Sequence, residues 1–547
     1  MNRLVIPALL AIPAALLSQN PTVAPDSSSR ATAVRAQQAP IIDGREDDAV
    51  WKLVTPTSDF REFQPREGGP PRFKTEFKAA FDDHNLFVFI RMYDPHPDSI
   101  MHALSRRDNR GSSDQIKVMI DSYFDRRNGY EFCVNPDGVK RDYAMYNDRD
   151  EDQSWDAIWD VATRVDSAGW TAEFRIPFSQ VRFANTATHT FGFSIWRDIE
   201  RYKERTSWPT WLSSRNGLVS QLGRLEGIAG ISQPSRFEVS PYSVAKSSSR
   251  SLPSASPSGV KYDMLPSASA GADIKYGITS NVTLNATIFP DFGQVEADPA
   301  VLNLGAFETF FQEQRPFFVE GVGTYSYGVD CNIVNCSGEG LFYSRRIGRA
   351  PQLGGSYGGA SATPIMGAGK LTGRFANGFT IGVLDAVTQR VQGTLDRTSE
   401  PETNYGVLRL RQEFNSGATT VGLIGTAVDR SLDSWTTSQL SKSAYVVGAD
   451  LHHKIGAVYQ IDASVMSSDV SGDTAVINAL QRNNVHSYQR TDGTLPYNPK
   501  ATSLAGDAEE ISVGKLGGDG VTRWQTNYMR QSAGFEINDL GYLRRAD

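Results

Sequence analysis

After Leu17 the chain contains no apolar run long enough to cross a bilayer as a helix, which needs about 18 or more consecutive apolar residues. Its rear half is built instead from short segments that alternate apolar with small or polar residues. A chain of this kind can hide its backbone only in sheets. If it enters a membrane, it must do so as strands that satisfy one another's backbone hydrogen bonds. The first residues read as an address. Arg3 precedes the apolar run Leu4 to Leu17, which two prolines interrupt, and small-residue cleavage sites follow at Thr22-Val23-Ala24 and Ala31-Thr32-Ala33. That pattern predicts a secretory signal, with residues 1–36 as signal peptide and disordered leader.

Composition divides the rest. Seven of the nine tryptophans lie between Trp51 and Trp211, which marks 37–231 as one aromatic-rich domain. Segment 232–270 is rich in Ser, Pro and Gly and reads as a linker or loop that includes the first strand of a second domain. Residues 271–547 form the remainder of that domain. With 55 Lys and Arg against 62 Asp and Glu, the net charge of -7 gives no general affinity for nucleic acid.

Both domains read as all-β. In the first, Phe73 to Phe81, Leu86 to Ile90, Gln115 to Ile120, Gly129 to Val134, Trp170 to Ile176 and Thr190 to Trp196 are short strands separated by Asp, Asn and Gly. No helical pattern alternates with them, so the expectation is an antiparallel β-sandwich. In the second, Ile365 to Leu371, Phe379 to Val387, Tyr405 to Gln412, Thr419 to Val428, Tyr445 to His452 and Val458 to Val465 alternate in the manner of barrel staves. Arg409 and Arg411 fall on the parity opposite Leu408 and Leu410. Alternation of about ten residues between turns predicts an outer-membrane-type β-barrel. A large soluble β-sandwich or propeller is the alternative.

Four strings in the first domain resemble the family nine carbohydrate-binding modules. They are IDGREDDAVW at 42–51, FKAAFDDHNLFVFIRMYD at 77–94, DQIKVMIDSYFDRRNGYEFCVNPDGVKRD at 114–142 and GWTAEFRIPFSQVRF at 169–183. In the second domain, IFPDFGQVEADPAVLNLGAFETFFQEQRPFFVEG at 288–321 and GFEINDLGYLRRAD at 534–547 resemble a family of uncharacterised bacterial outer-membrane barrels that carry such a module in front. The resemblance implies a sugar-binding sandwich and a barrel. In that family further strands follow the last string, so the expectation is a C-terminally truncated chain with an incomplete barrel.

Sugar recognition combines flat aromatic faces with Asp, Asn, Arg and Gln around the hydroxyls. SWDAIWD at 154–160 supplies Trp155 and Trp159, and WPTWLSSRNG at 208–217 supplies Trp208, Trp211, Arg215 and Asn216. These six are the candidate carbohydrate-binding residues, while Trp51, Trp170 and Trp196 are assigned to the core. Asp82, Asp83, Asp94 and Asp114 could give oxygens to Ca2+, but they lack regular ligand spacing, and solvated turn carboxylates are the preferred reading. No other cofactor is expected. Cys331 and Cys336 are a candidate local disulfide, and Cys133 reads as core.

Leu304, Phe307 and Phe311 fall at helical spacing, and Pro316 should stop that helix. Glu308, Glu313, Arg315 and Glu320 would then brace a short element against the barrel wall or lumen, with Arg315 paired to a Glu; an ordinary rim loop is the alternative. No motif for nucleophilic catalysis or phosphate binding is present, and the acidic run Asp148 to Asp152 reads as a hydrated loop. The function expected is carbohydrate binding, in glycan capture or catabolism, at the bacterial outer membrane, with the sandwich periplasmic or surface-exposed. The partners would be a carbohydrate and membrane lipid. A hydrolase of O-glycosyl bonds and a structural surface barrel without a glycan ligand are the alternatives.

Overall fold

The computed structural model describes residues 29–546, apart from 110, 147, 153–154, 182, 184–185, 214, 216, 232–236, 252–261, 280–281, 292–301, 306–307, 330–337, 355–361, 376, 394–396, 416, 457, 492 and 519–521. Cys331 and Cys336 therefore lie outside the described residues.

The first domain is a two-sheet β-sandwich. Its strands are β1 (Arg30–Arg35), β2 (Arg61–Gln64), β3 (Thr75–Phe81), β4 (Asn85–Tyr93), β5 (Gln115–Asp121), β6 (Gly129–Val134) and β7 (Lys140–Tyr146). They continue as β8 (Asp150–Asp152), β9 (Asp160–Asp166), β10 (Gly169–Pro177), β11 (Thr188–Ile199), β12 (Glu204–Trp208) and β13 (Gly223–Ala229). One sheet runs β8-β7-β6-β5-β11-β13 and the other β3-β4-β10-β9. β1 joins them: Arg30 to Thr32 pair with β13, and Ala33 to Arg35 pair with β3, both parallel. This corrects two expectations. Residues from Arg30 onward belong to the sandwich and not to a leader, and the sheets are antiparallel except at β1. The Ala-Thr-Ala string mimics a cleavage site because small residues are what a strand squeezed between two sheets can carry, and Ala31 and Ala33 are both buried.

β4 reads as a continuous apolar run because both of its faces are covered. Val88, Ile90 and Met92 enter the sandwich core with Phe174 and Phe193. Phe87 and Phe89 face outward under Val50 and Trp51. The string IDGREDDAVW makes this cover. Gly44 turns with φ 78°, in the left-handed region that suits glycine. The amides of Gly44 and Asp43 donate to one carboxylate oxygen of Glu173 at 2.9 and 3.1 Å, and Trp51 Nε1 donates to the other at 2.9 Å.

Among the described residues the second domain is one antiparallel sheet of eleven strands. They are β14 (Phe237–Ser251), β15 (Tyr262–Thr279), β16 (Val282–Ile288), β17 (Ile365–Arg374), β18 (Phe379–Thr388), then, after a small hairpin of β19 (Val391–Gln392) and β20 (Thr398–Glu400), β21 (Thr403–Phe414), β22 (Thr419–Arg430), β23 (Ser443–Ile455), β24 (Tyr459–Ser471), β25 (Ser503–Lys515) and β26 (Trp524–Gln531). Segment 232–270 is thus mostly strand and not linker, for β14 and β15 pair from Phe237↔Tyr276 to Ser251↔Tyr262.

An insert covers one face of this sheet. It contains α1 (Pro316–Val319) and α2 (Val322–Tyr325), and the segment 534–546 joins it. Residues of β17, β18 and β21 to β25 share one apolar cluster with Phe318, Tyr325, Ile347 and Leu540 of the insert. At about 4.8 Å per strand a flat sheet could not bring seven strands to so few residues, so the sheet wraps around the insert. Glycines let the insert lie close. A Cβ on Gly382 would stand 3.0 Å from the Tyr325 ring, and one on Gly448 would stand 3.0 Å from the Tyr327 ring.

The expected helix from Leu304 to Phe311 is absent among the described residues of that stretch. Pro316 starts α1 instead of ending a helix, at the first position, where its missing N–H costs nothing. Arg315 does pair with a Glu: it meets Glu313 at 2.6 Å. Glu308 pairs with Arg346 at 2.8 Å and Glu320 with Lys275 at 2.5 Å.

The polarity of the wrapped sheet is inverted. Its covered face carries Lys370, Arg409, Thr426, Ser468, Glu510 and Ser512, all buried. Its outer face carries Val383, Leu408, Val421, Leu423, Tyr445, Val447, Val465, Ile511 and Tyr528, all exposed. These outer residues are neighbours across strands, as in Val383↔Leu408 and Ile511↔Tyr528.

Candidate functional site

Charged contacts seat the sandwich on the end of the wrapped sheet. The turn between β5 and β6 is built by its own carboxylates. Asp121 accepts the amides of Asp125 and Arg126 at 3.1 and 2.8 Å, and Asp125 accepts those of Arg127 and Asn128 at 2.6 and 2.7 Å. Burial, with the charge of Asp125 beside it, holds Asp121 well above the usual carboxylate range. The turn presents Asp125 to Arg374 of β17 at 3.0 Å. Arg374 also pairs with Glu413 of β21 at 2.7 Å. Arg127 donates to Thr420 of β22, and Asp148 pairs with Lys454 of β23.

Between the two bodies lies a cavity of about 1110 Å³. The sandwich contributes Tyr123, Tyr130, Tyr146, Trp155, Asp156 and Gln180. The sheet contributes Lys275, Thr283, Arg374, Thr380, Arg411 and Glu413, and the insert adds Glu313, Pro316, Glu320, Gly323 and Thr324. Trp155 is partly buried against the sandwich core. Its ring meets Tyr130 at 4.8 Å and the edge of Phe132 at 5.8 Å. Sites of this kind, concave with aromatic walls and a few polar groups, are where small ligands bind. α2 comes against the same wall, since a Cβ on Gly323 would stand 3.2 Å from the Tyr146 ring.

Of the five candidate residues that are described, only Trp155 lines this cavity. Trp159 is 2% exposed and stacks on Phe174 at 5.6 Å, with Nε1 donating to Asp142 at 3.2 Å. Trp208 is 3% exposed and packs edge-on against Phe77 at 4.9 Å. Both are core residues, which corrects their assignment, because a buried ring offers no face to a sugar. Trp211 is half-buried over Phe63 and Trp196, at 5.4 and 5.7 Å, and donates Nε1 to Gly217 O at 3.2 Å. Arg215 is exposed on the same loop, away from the cavity lining, and Asn216 lies outside the described residues. Trp51, Trp170 and Trp196 are buried, as expected.

The four aspartates considered for Ca2+ each have separate protein partners. Asp82 caps the amides of His84 and Asn85 at 2.7 and 2.6 Å, and Asp83 meets Arg35 at 2.5 Å. Asp94 meets Arg201 at 2.8 Å. Asp114, which accepts the Glu200 amide at 2.9 Å, is pushed up to about 6 by burial. Among the described residues no group of three or more His, Cys, Asp or Glu converges as a metal site. Cys133 is buried, and burial pushes its thiol up to about 12, which leaves it unreactive.

Two family models match the chain. One, described as carbohydrate family 9 binding domain-like, covers residues 42–217, and the other, described as a domain of unknown function, DUF5916, covers 233–547. Two solved structures of a family 9 carbohydrate binding module from Caldicellulosiruptor kristjanssonii are similar to part of it. The complex with cellotriose is 18% identical, covers 36% of this chain and 92% of its own, and has a TM-score of 0.27. The complex with glucose is 19% identical, covers 38% and 100%, and also has a TM-score of 0.27. Among curated proteins none matches.

Proposed function

This chain belongs to the DUF5916 family, and from that premise we propose that it is a carbohydrate-binding protein of the bacterial outer membrane, its wrapped sheet set in lipid and its sandwich capturing a glycan. The observation that carries the binding half is the cavity walled by Trp155, Tyr130 and Tyr146 on the domain that matches a carbohydrate-binding model. Aromatic faces stack on the C–H side of a pyranose, and the polar groups around them serve its hydroxyls. The membrane half is supported by the inverted polarity of the sheet. A soluble protein rarely exposes a contiguous apolar band while burying Arg409 and Lys370 on its covered side. A strand-built membrane protein does both, because its outer face meets lipid and its inner face is polar.

Glycan capture for catabolism fits this arrangement, with the sheet as anchor. The experiment is affinity electrophoresis of the full chain in detergent through gels containing soluble polysaccharides. Retardation by at least one of them, lost in Trp155→Ala, is the expected result. Uniform migration through all of them would refute the binding half.

A further inference from the structure

We infer that the cavity between the domains is a composite site for a neutral oligosaccharide, held by the sandwich on one side and by the sheet and its insert on the other. The inference rests on the carbohydrate-binding reading and locates and narrows it.

The first observation is size. At about 1110 Å³ the cavity exceeds the ~300–1,000 Å³ usual for small-molecule sites, which leaves room for more than one pyranose ring. The second is provenance. The aromatic wall comes from the sandwich, but most of the polar groups facing it come from β15 to β21 and the insert. A glycan lying on Trp155 would therefore touch both domains. The clamp of Asp125 on Arg374 and Asp148 on Lys454 holds those walls in register without the ligand, so the site is built in advance.

The third observation is charge. The lining carries five carboxylates, Asp152, Asp156, Glu313, Glu320 and Glu413, against the three cations Lys275, Arg374 and Arg411. The cations are already committed. Lys275 is on Glu320, Arg374 is on both Glu413 and Asp125, and Arg411 lies among Glu413, Asp450 and two further arginines. Glu313 is likewise held by Arg315 and Asp156 by Arg107, so the ionised groups are largely paired among themselves, and a uronate or sulfated glycan would have to break one of these pairs. A neutral polyol need break none, since ionised pairs still offer lone pairs and N–H groups to its hydroxyls.

The test uses the full chain in detergent on an array of neutral gluco-, xylo- and manno-oligosaccharides beside acidic, uronate-bearing ones. The strongest binder is then titrated by calorimetry against Trp155→Ala and the sheet-side variants Thr283→Trp and Thr380→Trp. In parallel, Thr283→Cys is labelled with a maleimide, with and without that oligosaccharide, so that the site is read even if a bulky variant fails to fold. The expected result is a neutral binder whose affinity falls roughly tenfold or more in Trp155→Ala and in a sheet-side variant, and which slows labelling of the cysteine. If Trp155→Ala weakens binding while the sheet-side variants and the labelling rate do not change, the composite site is overturned and the sandwich reading stands. The composite site equally falls if none of the variants matters. Preference for acidic oligosaccharides overturns the neutral class, and an array with no binder overturns the carbohydrate reading itself.

Discussion

Replacing Arg315 by Glu should unfold the second domain before the first. The Arg315 guanidinium donates to both oxygens of Glu313, at 2.9 and 2.6 Å, and to the backbone carbonyls of Ile347 and Ser344, at 2.6 and 2.8 Å. It also lies 4.3 Å from the Phe318 ring. Both charges are largely buried, at 14% and 9% side-chain exposure. Removing one partner of a buried pair costs about 3–5 kcal/mol, chiefly because the other charge is stranded. Arg315→Glu does this, sets two like charges together and leaves the two carbonyls without this donor. Arg315→Lys keeps the charge but loses the fork, and should cost about 1–2 kcal/mol. Native stabilities of ~5–15 kcal/mol make the first loss severe and the second tolerable. Denaturant titration reads both, because seven of the nine tryptophans report on the first domain and far-UV circular dichroism on the strands of both. The fluorescence transition should stay in place while the dichroism transition moves to lower denaturant. A loss below about 1 kcal/mol in Arg315→Glu, or equal losses in the two variants, would refute the bracing role.

Three further outcomes are expected. Trp159→Ala should lower first-domain stability by about 3–5 kcal/mol in the fluorescence transition, as a deleted core ring does, whereas Trp155→Ala should cost clearly less. Burial pushes Glu173 up to about 7 from an ordinary 4.5, against the pull of its three donors. Its contribution to stability is therefore complete below about pH 4.5 and is lost as pH rises through about 7. The first domain should lose on the order of 2–3 kcal/mol over that window, and Glu173→Gln should flatten the slope; a pH-independent wild type would contradict the assignment. Val447 is 60% exposed in mid-strand on the outer face. Val447→Arg should cost about 2–4 kcal/mol in lipid vesicles but stay within about 0.5 kcal/mol if that face meets water, as folding titrations into vesicles would show.

Strand positions were legible because alternation and turn residues are local. The parity of Leu408 and Leu410 against Arg409 and Arg411 already held the inverted polarity that the wrapped sheet displays. What sequence could not supply was packing between distant segments. Trp159 and Trp155 sit four residues apart in one string, yet one enters the core and the other faces the cavity, because Trp159 falls next to the inward row of β10. The two strings that resemble the barrel family, far apart in the chain, turn out to be packed together. Tyr542 donates to Glu308 O at 2.6 Å, and its ring meets that of Phe310 edge-on at 5.2 Å. The spacing before Pro316 misleads: among the described residues there, the Phe311 backbone exchanges hydrogen bonds with the Tyr343 hydroxyl, donating at 3.2 Å and accepting at 2.9 Å, and not with a helical turn. β1 was missed because alternating small residues suit a cleavage site and a sheet junction equally. Nor could any local pattern show a cavity whose walls come from residues as far apart as Tyr123 and Glu413.

Alkaline carbonate extraction of membranes from cells expressing the full-length chain asks most directly whether the apolar outer face of the second domain meets lipid. The account predicts that the chain stays with the outer-membrane pellet and leaves it only in detergent. Release into the carbonate supernatant, or recovery in the periplasmic extract, would contradict it.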